Sequence, residues 1–307
     1  MNLTYCCKIC GGTDFMVIVN NIRDWEYGFA GSYDYRKCSK CASVQIHPFP
    51  SIQELMESYE VDYHGFAVPE QKGTIYSIFY KISEWVTARE IRGIADYGSR
   101  VLDVGCGIGL LLKKLKSMGF YKLEGIDFSE KAVNAVSEAG IACHKGVFTD
   151  LERENHGYDL IFMNNYLEHT LNPLNELKKA RALLKDKGAL LGKAPNFDSF
   201  DRFLFGRYWG GNHVPRHTFQ FNASNLRSLL KEAGFKTIKI LYPLDTSHFA
   251  LSFQNLLQRH RTDLKNNTSL VHGRNKYYSL FMMGLVPINM VCMLLKKTGF
   301  VQFYAIP

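Results

Sequence analysis

Residues 101–109 read VLDVGCGIG, and this stretch constrains the fold more than any other. Val101-Leu102-Asp103-Val104 is a short apolar run without polar alternation, as expected for a parallel strand covered on both faces. Gly105-Cys106-Gly107-Ile108-Gly109 follows as a turn, and Leu110–Met118 reads as a helix ending at Gly119. Strand, glycine turn and helix form the nucleotide-binding opening of a doubly wound α/β sheet, where missing side chains let a ligand approach the backbone. The spacing is GxGxG, one residue shorter than the dinucleotide fingerprint. A second acid strengthens the reading. Lys122–Ile126 is the next strand and ends in Asp127, 24 positions after Asp103 (127 − 103). A carboxylate at that strand end can accept hydrogen bonds from both ribose hydroxyls. Ser129 is placed to cap the following helix.

The alternation of strands and helices continues. Leu160–Met163 is a buried strand whose carboxyl end delivers Asn164 to His169 to the edge where doubly wound sheets hold ligands. Asn172-Pro173 starts a helix through Leu183 and Leu184, which Lys187-Gly188 is expected to end. Ala189–Lys193 is the next strand. Asn222 or Ser224 caps a helix running to Ala233, and Lys236–Tyr242 is a further strand.

The front of the chain carries different chemistry. Cys7-Lys8-Ile9-Cys10 and Cys38-Ser39-Lys40-Cys41 are two CxxC knuckles with 27 residues between them (11–37). Two such pairs place four thiolates around one zinc, leaving no open coordination position, so Cys7, Cys10, Cys38 and Cys41 are expected to hold a structural Zn2+. Cys6 is a substitute ligand with poorer spacing. Between the knuckles, Phe15–Val19 and Tyr33–Lys37 read as short strands of a zinc ribbon over 1–46. Eight cysteines without a secretory leader point to a reducing, cytoplasmic setting and to metal binding over disulfides.

Residues 47–98 read as a helical connector: Ser51 caps a helix from Ile52, and Ile75–Ile94 has apolar residues at helical spacing. The domain from 99 to 307 contains a helical insertion at about 245–297. The net charge is +8, and residues 243–307 hold seven basic and two acidic side chains. That field suits nucleic acid, an anionic membrane surface or a phosphorylated substrate, or is simply a solvated face. Tyr277–Leu295 is a run of 19 residues without charge, flanked by Lys276 and Lys296-Lys297. Pro287 and Asn289 interrupt it, and a single crossing would leave the last strand on the wrong side. A helix lying in the bilayer interface at 277–295 satisfies both constraints, as does a lid or dimer helix.

Taken in order, VLDVGCGIG, GIDFS, YDLIFMNNYLEH, LLKDKGALL and a helix ending in EAGF resemble class I S-adenosylmethionine-dependent methyltransferases over about 100–307. The front half, CxxCG followed by YRKCSKCASVQIHPFPSIQELMESYEVDY, resembles the zinc-containing front end of some bacterial methyltransferases of sugar and envelope biosynthesis. The resemblance implies a seven-stranded Rossmann-like methyltransferase sheet whose last strand, Phe300–Ile306, is reversed. It implies that Asp103, Gly105, Cys106 and Gly107 line the amino-acid part of S-adenosylmethionine, that Asp127 holds the ribose, and that Phe128 and Asn164 flank the adenine. The chain departs from the pattern at Gly146-Val147-Phe148, where many relatives carry an acid or amide. Backbone groups or Asp150 then meet the adenine amino group.

The sulfonium methyl is already activated, so the protein mainly aligns acceptor, methyl and sulfur, and a hydroxyl acceptor gains from a nearby general base. Glu168-His169 at the ligand edge and the stretch GGNHVPRHTFQF at 210–221 supply candidates. His217 is the preferred base ahead of His169. Arg216 either grips an anionic substrate group or pairs with Glu168 and braces the loop. The resulting expectation is methyl transfer to a small-molecule or glycan hydroxyl, with no nucleic-acid partner favoured. Two other classes stay open: a zinc-ribbon-assisted RNA methyltransferase and a nicotinamide-dependent oxidoreductase. Steep salt-dependent RNA binding marks the first, and quenching of the tryptophans by reduced nicotinamide the second.

Overall fold

The computed structural model describes residues 5–59, 89, 91–153, 155–260 and 282–307. Most of the expected helix Ile75–Ile94 and the first part of the apolar run 277–295 lie outside these residues.

The front of the chain forms three antiparallel strands, β1 (Phe15–Ile22), β2 (Tyr33–Cys38) and β3 (Val44–His47), followed by helix α1 (Ile52–Glu57). Ser51 caps α1, accepting from the Glu54 amide while the Glu54 carboxylate takes the Ser51 amide in return.

The second unit alternates strand and helix: β4 (Arg100–Val104), α2 (Leu110–Ser117), β5 (Lys122–Asp127), α3 (Glu130–Ser137), β6 (Ala142–Lys145), β7 (Tyr158–Asn164), α4 (Pro173–Leu183) and β8 (Leu184–Pro195). After it come α5 (Phe200–Phe205), a two-residue strand β9 (Phe219–Gln220), α6 (Ala223–Glu232), β10 (Thr237–Leu241), α7 (Ser247–Leu257), α8 (Val286–Leu294) and β11 (Phe300–Ile306). The main sheet has the order β10-β11-β8-β7-β4-β5-β6. Its neighbours are parallel except β11, which runs antiparallel to both β8 and β10. This strand order and its reversed last strand match the seven-stranded sheet that the resemblance implies.

The pleat explains why β4 and its neighbours are apolar throughout. Leu102, Val104, Ile161 and Leu190 pack on one face with Leu177 of α4 and Leu230 of α6. Val101, Leu160, Phe162 and Ala189 pack on the other with Leu112 and Leu115 of α2. A sheet buried on both sides leaves its strands no polar face.

Two local expectations change. Helix α4 stops at Leu183, and Lys187-Gly188 lies inside β8, which begins at Leu184. A Cβ on Gly188 would sit 2.9 Å from the Tyr158 carbonyl oxygen, so this glycine serves the close approach of β8 to β7 and does not end a helix. Pro287 does not interrupt α8; it occupies the first turn, where a proline lacks no needed hydrogen bond. Buried Asn289 ties α8 to the main body, donating to the Asp245 carbonyl at 2.9 Å and accepting from its amide at 3.1 Å. Among the described residues, no helix is long and apolar enough to cross a membrane.

The smaller sheet has the order β1-β2-β3-β9. Its last member, β9, comes from the stretch at 210–221, pairing Val44 with Gln220 and Gln45 with Phe219. The front strands therefore continue into the stretch at 210–221 that follows β8.

Candidate active site

The turn after β4 is shaped by glycine. Gly105, Gly107 and Gly109 hold φ of 68°, 52° and 75°, a region that costs side-chain-bearing residues energy. A Cβ at Gly105 would also stand 2.6 Å from the Tyr166 ring. Asp127, at the end of β5, accepts from the Gly107 amide at 2.9 Å and from the Ser129 amide at 2.9 Å. It joins the glycine turn to the start of α3, which Ser129 caps through the Ala132 amide.

Asp103 and Asp127 are both buried and repel one another. Burial, and then the Asp127 charge, push the Asp103 carboxyl up to about 8; burial also raises Asp127. Two neighbouring buried carboxyls with no basic side chain bonded to either among the described residues suit a cationic ligand with hydroxyl donors. That is the character of S-adenosylmethionine, with its ammonium, sulfonium and ribose, and the residues fit it. Cys106 turns the other way: its Sγ lies 3.7 Å from Cys143 Sγ and packs in the core under α2, so only its backbone faces the turn. Phe128 is exposed beside the turn, and Asn164 ends β7. Asp150 lies in the single helical turn Phe148–Asp150 after β6.

The acceptor side is assembled from three segments. The turn Leu167–His169 follows β7, the loop 210–218 precedes β9, and Tyr59 arrives from beyond α1. Tyr59 Oη lies 2.6 Å from His169 Nδ1, and its ring lies 5.2 Å from that of Phe128, so one side chain spans the cofactor side and the histidines. The rings of His169 and His217 are 4.6 Å apart, and His213 and His217 are 4.9 Å apart. His217 Nδ1 donates to the Gly211 carbonyl at 2.8 Å, which leaves Nε2 as the nitrogen with a lone pair. Burial, reinforced by the neighbouring histidines, holds His217 and His169 well below the ordinary imidazole range, so both are neutral. His213 pairs with Glu26 at 3.0 Å.

Arg216 is fully buried, and its ion-pair partner is Asp24, at 3.0 Å, not Glu168. Its Nε donates to the Ser58 carbonyl at 2.9 Å, and its guanidinium lies 4.5 Å from the Tyr27 ring centroid. The reason is topological: the β1–β2 loop, carrying Asp24, Glu26 and Tyr27, folds over the 210–221 stretch once β9 has joined the smaller sheet. Glu168 is 1% exposed, and neither carboxylate oxygen has a hydrogen-bond partner among the described residues. Burial pushes its carboxyl up to about 8.

Sequence reasoning did not single out Asp24, Glu26, Tyr27, Tyr35 or Tyr59. Tyr35, in β2, donates to the carbonyls of Asn212 and His217 at 2.7 and 2.8 Å. The one available signal was the pair of acids in Asp24-Trp25-Glu26-Tyr27, opposite in sign to Arg216, with nothing in the spacing to join them.

At the front, Cys7, Cys10, Cys38 and Cys41 bring their sulfurs within 4.8 Å of one another, with Cys7–Cys41 at 3.5 Å and Cys10–Cys38 at 3.6 Å. A tetrahedral zinc with bonds of about 2.3 Å separates its sulfurs by about 3.8 Å, so the cluster is compatible with Zn2+.

Comparison with known proteins agrees with this geometry. A family model described as a methyltransferase domain matches residues 77–240, more than half of the 307-residue chain. The ubiquinone biosynthesis O-methyltransferase of Burkholderia pseudomallei (strain 1710b) is 28% identical over 174 residues, covering 50% of this chain and 73% of that protein. The protein of the same name from Maricaulis maris (strain MCS10) is 28% identical over 170 residues, covering 51% of this chain and 65% of that one. A crystal structure of a SAM-dependent methyltransferase from Archaeoglobus fulgidus superposes with a TM-score of 0.53 at 17% identity, covering 80% of this chain and all of the other, a likeness of fold.

Proposed function

Because this chain belongs to the methyltransferase-domain family and is an S-adenosylmethionine-dependent methyltransferase, we propose that it methylates a hydroxyl oxygen of a small molecule, glycans and their precursors included. The observation that carries this reading is the pair of neutral histidines, His169 and His217, at the carboxyl edge of the sheet beside the Asp103–Asp127 cradle. A neutral imidazole is ready to accept a proton, which a hydroxyl acceptor needs and a ready-made amine nucleophile does not. The O-methyltransferase names of the relatives point the same way.

S-adenosylmethionine supplies an activated methyl group. Asp103 would hold its ammonium, Asp127 its ribose, and the bare backbone of Gly105 and Gly107 the methionine part, with Phe128 and Asn164 at the adenine. His217 Nε2 takes the acceptor proton, and His169 is the second candidate for that role. Arg216 positions the loop from behind, locked onto Asp24 and the Ser58 carbonyl. The zinc at the four cysteines would be structural, since four thiolates fill its coordination shell. Exposed Val291, Leu294 and Leu295 on and beside α8 fit an acceptor with an apolar part, or contact with a membrane surface.

The test is calorimetry with S-adenosylmethionine, followed by radiolabelled methyl incorporation into three acceptor sets: phenolic quinone precursors, sugar nucleotides and lipid-linked sugars. Binding followed by label in an alkali-stable ether is expected. No cofactor binding at millimolar concentration overturns the reading. With an acceptor in hand, unchanged turnover in His217→Ala removes that residue from the chemistry.

A further inference from the structure

We propose that Glu168, His169 and His217 form a second metal site, binding one divalent ion of the zinc, iron or manganese class on the acceptor side of the cofactor cradle. One ligand atom from each residue lies within 4.8 Å of the others. Donors bound tetrahedrally to a common ion at about 2.0–2.1 Å stand about 3.4 Å apart, so the three side chains would close in by at most about 1.4 Å on binding.

The Glu168 carboxylate is the strongest argument. It is buried, and both its oxygens lack a hydrogen-bond partner among the described residues. An ionised carboxylate buried without a partner is costly, and a divalent ion would supply its counter-charge. Lys193, the cation that acts on Glu168, forms its own ion pair with Asp245 at 3.1 Å. Arg216 is taken by Asp24.

The histidines are arranged as ligands are. A metal-bound imidazole commonly presents one nitrogen to the ion and anchors the other on a carbonyl or similar group. His217 anchors Nδ1 on the Gly211 carbonyl, which leaves its Nε2 for the ion; His169 places Nδ1 on the Tyr59 hydroxyl, and its ring also bonds the Arg216 backbone, a bond the ion would replace. Two imidazoles and one carboxylate are a borderline donor set, unlike the all-thiolate cluster at the front.

Three protein ligands leave positions open, as catalytic sites do. This inference rests on the methyl-transfer reading and changes one part of it. A divalent ion held there would lower the pKa of an oxygen bound to it, and His169 and His217 would then hold the ion and not take the acceptor proton themselves.

The test counts zinc on the full chain after loading with excess Zn2+ and desalting. Two ions per chain are expected in the wild type and one in Glu168→Gln and in His217→Asn. One sulfur-bound ion in the wild type, or two in all three proteins, overturns the proposal. X-ray absorption on the wild type alone covers the case in which a variant misfolds: a mixed shell of sulfur at about 2.3 Å and nitrogen or oxygen at about 2.0–2.1 Å is expected, and an all-sulfur shell refutes the site. Calorimetry with S-adenosylmethionine separates the two readings. Cofactor binding with a single sulfur-bound zinc sinks the metal site and leaves the methyltransferase reading, whereas nitrogen- and oxygen-bound zinc without cofactor binding does the reverse.

Discussion

Asp103, proposed above to hold the cofactor's ammonium, is kept in place at a cost to the unliganded protein. Its carboxyl is pushed up to about 8 in the folded state, whereas in the unfolded chain it ionises near pH ~4. Between those values the native state keeps a proton that the unfolded state has lost, so stability falls as pH rises through the window. Asp103→Asn removes this share of the slope and should raise the melting temperature of the unliganded protein at pH 8 more than at pH 5. A cationic ligand favours the ionised carboxylate, so S-adenosylmethionine affinity should rise from pH 6 to pH 8 in the wild type. The Asn variant should bind at least tenfold more weakly at pH 8; calorimetry checks both, and equal affinity would remove Asp103 from the cradle. At the same scale, Arg216→Leu leaves Asp24 buried without its ion-pair partner and should cost about 3–5 kcal/mol in denaturant unfolding. Asp24→Asn combined with Arg216→Leu should recover part of that loss, because both charges are then gone. Additive losses would mean that the pair does not act as a unit.

Elements explain how the front sheet with its four cysteines is tied to the methyltransferase domain. Strand β9 is only two residues long, yet it ends the β1-β2-β3-β9 sheet and leads directly out of the loop bearing His213, Arg216 and His217. A strand that short has little stability of its own. Its position depends on β3, and the β2–β3 hairpin carries Cys38 and Cys41. Tyr35 of β2 reinforces the link through its bonds to Asn212 and His217. Removing the front zinc, by chelation or by Cys38→Ser, should therefore loosen residues 210–221, which lie far from the cysteines in sequence. Hydrogen exchange should rise there and methyl transfer should fall, while S-adenosylmethionine binding, held by β4 and β5, stays within about threefold. Unchanged exchange at 210–221 would show the ribbon and the site to be uncoupled.

Across the whole molecule, the reversed strand β11 closes the core beside β8. Gly192 of β8 faces Phe303 of β11 so closely that a Cβ would collide with the phenylalanine ring and stand 2.5 Å from the Met163 carbonyl oxygen. Backbone cannot give way as a flexible side chain can, so Gly192→Ala should destabilise the domain by about 1–3 kcal/mol, read from the denaturation midpoint at constant m-value. A neutral result would mean that β11 shifts freely along β8. β8, with 12 residues the longest strand among the described residues, has parallel β7 on one side and antiparallel β11 on the other.

Much of this protein was legible in its sequence because the signals are local. Strand, glycine turn and helix over 100–118, the acid ending β5, the capping residues Ser51, Ser129 and Asn222, and the last strand Phe300–Ile306 all follow from short-range sterics, hydrogen bonding and hydrophobic period. The convergence of the CxxC knuckles was legible for the same reason: two tight turns that bring four sulfurs together write their spacing into the chain. Partners brought together by folding were not legible. Arg216 meets Asp24 across 192 positions, Tyr35 meets His217 across 182, and Glu168 is left between two histidines without a hydrogen-bond partner of its own among the described residues. Charge and hydrogen bonding carry no period along a sequence. Only the joining of β9 to the front sheet decides which acid faces which base.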